Sequence, residues 1–191
     1  MGKKGLLIIL SGPSGVGKGT IRKELFMDES LHLTYSVSMT TRNKRAGETN
    51  GVEYYFVSRD EFEKNIAEDK LLEYSEFVNN LYGTPAAEVE RLRNEGYNVL
   101  LEIEVNGASQ VIQKIPEAIT IFLIPPNLHE LEERIRGRKS ESNDIIQLRL
   151  QKARNEMKLK NTYKYVIVNS DLKKATQRIA SIIKKVERNT L

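Results

Sequence analysis

The sequence predicts an α/β protein: a three-layer core around a central five-stranded parallel sheet, a β-rich lobe inserted into it, and a short helical lid. Three observations carry that prediction. The apolar run Leu6 to Leu10 leads directly into a glycine-rich turn, Gly12 to Thr20, as expected where a buried strand delivers a phosphate-binding loop onto a helix. A short strand within His32 to Ser38 and further strands at Asn98 to Val105, Ile119 to Ile124 and Tyr165 to Asn169 alternate with helical segments, which implies parallel strands joined by crossover helices. Between them, residues 39–84 break the alternation with short extended runs and polar turns. The expected organisation is therefore a core of residues 1–38 and 85–191, with a lid at about 137–145, and an inserted lobe of residues 39–84.

Taken in order, the first helix ends near Asp28. Met39 to Gly51 carries Thr40, Thr41, Arg42, Lys44, Arg45, Gly47 and Gly51 and reads as an exposed basic loop. Tyr54 to Val57 is extended again, and Ser58-Arg59-Asp60-Glu61 is a capping box for a short helix to Glu68. Leu72 to Val78 and Leu81 to Thr84 read as a hairpin turning at Asn79-Asn80. Pro85 and Gly96 frame the helix that returns to the core. Ala108 to Lys114 is a helix, and Asn127 with Glu130 caps another that runs to about Arg136. Arg138 to Asn143 is a polar break before a helix from Asp144 to Lys160. Leu172, Ala175, Ile179, Ile182, Ile183 and Val186 form one apolar stripe on the final helix.

Composition narrows the function classes. The chain has 191 residues, no cysteine, and 30 basic against 26 acidic side chains. Thiol chemistry and disulfides are excluded, and a mixed surface of net charge +4 argues against a nucleic-acid partner. No apolar run approaches the roughly 18 residues that span a bilayer, so the expectation is a cytoplasmic protein without a membrane partner. His32 and His129 have no partner motif and read as structural or solvated.

The chemistry concentrates at the first turn. Gly12, Gly17 and Lys18 stand at the spacing G-x-x-x-x-G-K, which lets backbone N–H groups converge on a polyphosphate. A lysine in the first turn of a helix opposes the macrodipole at a cost of a few tenths to about 1 kcal/mol. A phosphate between the two removes the conflict. Gly19 stands directly after the lysine, where a metal-holding hydroxyl is usual, and Thr20 follows. The loop by itself therefore supplies no certain metal ligand.

A phosphate loop specifies a nucleotide and leaves the reaction open, so the second substrate must be read elsewhere. GPSGVGKGT at Gly12 to Thr20, SVSMTTRNKR at Ser36 to Arg45, AGETNGVEY at Ala46 to Tyr54, Glu73, Tyr82-Gly83-Thr84, EIEVNG at Glu102 to Gly107 and RIRGRKSE at Arg134 to Glu141 occur in this order. Together they resemble the guanylate kinases over nearly the whole chain. The resemblance implies transfer of the γ-phosphoryl group of ATP to GMP, giving ADP and GDP in purine nucleotide metabolism, with Mg²⁺ as cofactor.

Residue roles follow from the same resemblance. ATP is expected on Gly12, Pro13, Ser14, Gly15, Val16, Gly17, Lys18, Gly19 and Thr20, with Asn169 at the adenine. The GMP phosphate is expected on Arg42, Arg45, Tyr54 and Tyr82, and the base on Ser38, Glu73 and Thr84. Glu102 and Glu104 are expected to share a face at a strand end, one supporting the Mg²⁺ shell through water and the other meeting the guanosine. Lys18, Arg42, Arg134, Arg138 and Arg149 are the expected catalytic cations, and Lys139 stands where the family commonly has glycine. The base chemistry agrees: guanine offers the acceptor O6 beside the donors N1–H and N2–H₂, which suit hydroxyls and a carboxylate respectively. The GMP phosphate oxygen is itself the nucleophile, and closure of the lobe and lid is expected to exclude water. The alternatives are a guanylate-kinase-like module that binds phosphorylated proteins, or another nucleoside monophosphate or sugar-phosphate kinase. An intact loop disfavours the first, and Glu73 with Ser38 and Thr84 disfavours the second.

Overall fold

The computed structural model describes residues 3–137 and 143–189. Arg138, Lys139 and most of the expected lid lie outside the described residues. The chain runs β1 (Leu7–Ser11), α1 (Lys18–Phe26), β2 (Leu33–Thr34), β3 (Ser38–Thr40), β4 (Tyr54–Phe56), α2 (Arg59–Ala67), β5 (Leu71–Phe77), β6 (Asn80–Pro85), α3 (Ala86–Asn94) and β7 (Asn98–Glu102). It continues through α4 (Val105–Lys114), β8 (Ile119–Ile124), α5 (Leu128–Arg136), α6 (Asn143–Met157), β9 (Tyr165–Val168) and α7 (Leu172–Asn189). A five-stranded parallel sheet has the order β2-β7-β1-β8-β9, as the α/β reading requires, and a four-stranded mixed sheet has the order β4-β3-β6-β5.

The chain divides into two compact units. One takes in the chain to Leu7 with residues 34–101 and 106–118; the other takes in residues 8–33, 102–105 and 119 onward. In the second unit β1 is buried along its whole length, and Ile8 and Leu10 lie opposite Ile119 and Ile121 of β8. Aliphatic strands buried on both faces are the physical reason that the run reads as continuous rather than alternating. Ala175, Ile179 and Ile183 of α7 are buried, whereas Leu172 at the edge of the expected stripe is exposed. Leu131 and Ile135 of α5 interlock with Ile146, Leu150 and Ala153 of α6.

In the first unit the mixed sheet is backed by α2. Phe62, Leu71 and Leu81 form its small core, and Met39, Val57 and Ile66 pack against them. The Ser58 N-cap of the expected capping box forms: the Glu61 N–H donates to Ser58 Oγ at 3.1 Å. The short strand expected within His32 to Ser38 is present as Leu33–Thr34, and Ser38 belongs to the other sheet, where it pairs with Tyr54. Three sequence expectations are corrected in detail. The expected loop at Met39 to Gly51 begins inside β3, where Thr40 is buried and its hydroxyl donates to Leu81 O at 2.9 Å. The hairpin turns at Val78-Asn79 (φ 47° and 60°), and Asn80 is already in β6. Finally, the strand expected to reach Val105 ends at Glu102, and α4 starts at Val105.

Candidate active site

The loop between β1 and α1 is shaped by close approaches that only glycine permits. Gly17 is the N-cap of α1 with φ 99°, and a Cβ there would stand 2.7 Å from Asn169 Nδ2. The first intrahelical bond runs from Ile21 N–H to Gly17 O at 3.1 Å, so the amides of Lys18, Gly19 and Thr20 have no helix carbonyl to reach. They belong to the wall of a cavity of about 380 Å³ lined by Ser14, Gly17, Lys18, Gly19, Thr20 and Glu102, among others. Orphan amides and a helix N-terminus facing a polar cavity make an anion site.

Lys18 folds back over the loop, its Nζ donating to Gly12 O at 2.6 Å and Pro13 O at 3.1 Å. Burial pushes this ammonium's pKa down, and Glu102, Glu156 and Glu104 oppose the shift in that order. The three carboxylates line a second cavity of about 230 Å³ with Gly12, Ser14 and Lys18. Glu102 pairs with Arg22 at 3.2 Å, while exposed Glu104 accepts from Lys152 Nζ at 2.9 Å. The strand periodicity that was to align them does not apply, since Glu104 lies beyond the end of β7. They nevertheless line one cavity, because the chain turns toward α4 directly after Glu102.

The matched arginines of this unit hold the loop from outside. Arg149 donates from NH2 to Ser14 Oγ at 2.6 Å, and Arg134 donates to Asn169 O at 3.0 Å and Val16 O at 3.4 Å. Asn169 is buried and its Nδ2 donates to Val16 O at 2.8 Å. It braces the phosphate loop, a task the sequence reading did not foresee. Glu156 was also missed: its Oε2 is buried without a hydrogen-bond partner, and burial pushes its carboxyl up. Its helical position in a run of charged residues carried no signal.

The other expected residues gather on the mixed sheet of the first unit. Ser38 is across from Tyr54, Thr40 from Phe56 and Tyr82, and Glu73 from Thr84. Extending the β3–β6 register by one residue places Ser38 across from Thr84. Tyr54, Ser38, Thr84 and Glu73 therefore form one row across four strands, and Tyr82 lies two residues from Thr84 on the same face. The hydrophobic contacts of Met39, Leu81 and Phe62 occupy the opposite face.

Within that row Thr84 Oγ1 donates to Glu73 Oε1 at 2.6 Å. Glu73 is 7% exposed, and its burial raises the carboxyl's pKa against the opposing effect of the Thr84 bond. Arg42 is also enclosed, with 13% of its side chain exposed. Its guanidinium meets Glu48 in a two-pronged pair at 2.7 and 3.1 Å, and it lies 5.5 Å from the Tyr54 ring centre. Tyr54 and Tyr82 meet edge to face at 6.0 Å. Glu48 also accepts the Arg45 N–H at 2.8 Å, so it organises both expected phosphate-binding arginines. Sequence reasoning passed over it because one acidic residue in a basic loop resembles ordinary solvated charge.

Comparison with known proteins identifies the family. The family model for guanylate kinase matches residues 4–186. The crystal structure of guanylate kinase from Anaplasma phagocytophilum is 32% identical, covers 96% of this chain and 86% of its own, and superposes with a TM-score of 0.71. The SH3-kinase fragment of tight junction protein 3 is 11% identical, covering 96% of this chain and 57% of its own at a TM-score of 0.50, a likeness of fold alone.

Proposed function

The chain belongs to the guanylate kinase family and is a kinase that transfers the γ-phosphoryl group of ATP to GMP; from that premise we propose how its residues divide the work. Glu73, Thr84 and Ser38 read the guanine, and Arg42, Arg45, Tyr54 and Tyr82 hold the GMP phosphate. The observation that carries this assignment is the single polar row on one face of the mixed sheet, with an enclosed carboxylate at one end and an enclosed guanidinium beside the tyrosines. A carboxylate accepts N1–H and N2–H₂ together, and the Ser38 hydroxyl donates to O6, while Thr84 spends its single proton on Glu73 and holds the carboxylate in place. Adenine presents an acceptor at N1 and leaves Glu73 unpaired, which rejects AMP. Arg42 exchanges the Glu48 carboxylate for the phosphate, an anion with the same matching oxygens.

On the ATP side, the loop from Gly12 to Thr20 cradles the phosphates. Lys18 leaves the Gly12 and Pro13 carbonyls for the β and γ oxygens. Arg134 and Arg149, already bonded to the loop, and Arg138 neutralise the transferred group, and Asn169 keeps the loop in shape at its adenine end. Phosphoryl transfer needs this positioning and charge compensation more than covalent chemistry. The GMP phosphate oxygen attacks directly, so no protein base is required.

The family generally uses a divalent metal with ATP. Thr20 and Glu102 line the same cavity, a small oxygen set that suits Mg²⁺, which retains water and phosphate ligands. Bound with ATP, the ion supplies further charge neutralisation at the β and γ phosphates. In this reading residues 39–84 act as the GMP-binding lobe of a core formed by residues 1–38 and 85–191, working in purine nucleotide metabolism in the cytoplasm. The test is coupled ADP release with Mg²⁺-ATP and GMP, AMP, CMP or UMP as acceptor. Turnover selective for GMP is expected; equal turnover of all four would refute the base-reading assignment.

A further inference from the structure

Helix α4 meets strand β5 at three positions in succession. Lys114 donates to Leu71 O at 2.7 Å and pairs with Asp69. Gln110 engages the backbone of Tyr74 on both sides: Tyr74 N–H donates to Gln110 Oε1 at 3.1 Å, and Gln110 Nε2 donates to Tyr74 O at 2.9 Å. Because β5 is the edge of its sheet, this side-chain amide supplies the rung that a neighbouring strand would have supplied. The third position is Gly107. A Cβ placed there would stand 2.6 Å from Glu73 Oε2, 3.3 Å from its Cδ and 3.4 Å from its Cγ.

Glycine is the poorest helix former after proline, so its place in α4 requires a local reason. Its φ is not in the left-handed region, and the reason is space: the bare helix surface is where the Glu73 carboxylate rests. Thr84 holds one oxygen of that carboxylate, Gly107 admits the other, and Gln110 fixes the strand one residue further on. We propose that Gly107 and Gln110 are positioning residues for guanine recognition, setting where the Glu73 carboxylate stands without touching the nucleotide. This rests on the assignment of Glu73 as the base reader.

The decisive variant is Gly107→Ala. The clashing atom is the free end of a flexible side chain, so the fold survives and Glu73 moves. Ordinary contact at 3.4 Å requires a shift of about 0.8 Å, enough to stretch and weaken the 2.6 Å bond from Thr84. A misplacement of that size lowers kcat/KM for GMP by about 10- to 100-fold. The readout that a merely structural role would not move is selectivity between GMP and inosine monophosphate, which lacks the 2-amino group. That ratio falls in Gly107→Ala toward its value in Glu73→Gln, and falls less in Gln110→Ala, while KM for ATP stays unchanged.

If Glu73→Gln itself leaves the ratio unchanged, the base-reading assignment fails. If Glu73→Gln collapses the ratio but folded Gly107→Ala retains it, that assignment stands and the positioning role is overturned. An unfolded Gly107→Ala also overturns the proposal, because relief would then not have fallen on Glu73.

Discussion

Glu73→Gln is the sharpest perturbation of the acceptor site, because it changes one atom and almost no volume. In the wild-type protein the carboxylate is 7% exposed, so water does not screen its bonds, and Thr84 already satisfies one lone pair of Oε1 at 2.6 Å. Two charge-assisted bonds to guanine N1–H and N2–H₂ are worth about 1.5 to 3 kcal/mol each. Glutamine keeps one acceptor and turns an NH₂ toward the other donor. It therefore loses at least one such bond and leaves a buried donor facing a donor, a further cost of about 1 to 3 kcal/mol. The total of roughly 2.5 to 6 kcal/mol corresponds to a fall of about 10²- to 10⁴-fold in kcat/KM for GMP, at about 1.4 kcal/mol per decade. Coupled ADP release at saturating Mg²⁺-ATP measures it, with AMP as the companion substrate. A change smaller than about threefold, with selectivity over AMP intact, would refute the reasoning.

Because burial raises the Glu73 carboxyl above its ordinary value of 4.5, the folded protein holds this proton to higher pH than the unfolded chain. Stability from this group is therefore full below pH 4.5 and declines as pH rises through the folded value; Glu73→Gln abolishes that decline, as denaturation midpoints at acid and neutral pH will report. GMP binding needs the ionised form, so the acid limb of kcat/KM for GMP lies above the usual carboxylate range and disappears in the same variant. Lys18→Met lowers kcat by about 10³-fold or more while the melting temperature holds or rises, since an apolar side chain no longer carries a buried charge; near-normal turnover would refute the role of Lys18. Val78, 72% exposed in the left-handed region with φ 47°, is strained by its branched side chain. Val78→Asn stabilises the fold by about 1 kcal/mol, read as a melting increase of roughly 2 to 4 °C; an unchanged or lower midpoint would show that the turn is not strained.

Where structure depended on neighbours in sequence, the sequence was sufficient. The phosphate loop was legible because its chemistry is local: Gly12, Gly15 and Gly17 adopt the positive φ that glycine allows, directly between a buried strand and a helix. The Ser58 cap and the α7 stripe were legible for the same reason, since a cap spans three residues and a helix face repeats every three or four. The resemblance of ordered motifs supplied the residue roles for the acceptor site, and the structure shows the row that could unite them.

Sheet register was what the sequence by itself left open. Nothing local tells Thr40 that Leu81 and Tyr82 are its partners, or tells Glu73 that Thr84 stands opposite. Pairing energy comes from residues on another strand, 11 positions away for Glu73 and Thr84 and 41 for Thr40 and Leu81, and a shift by one residue would reverse every side chain. The same non-locality hid Glu48 behind Arg42, Asn169 behind Val16, and Gln110 behind Tyr74. Each is a common polar residue whose meaning is fixed by the group it reaches. The sequence by itself determined the donor loop, the helix faces and the chemical types needed at the acceptor; only tertiary pairing decided which side chains share a face, because hydrogen-bond register is a property of two strands and never of one.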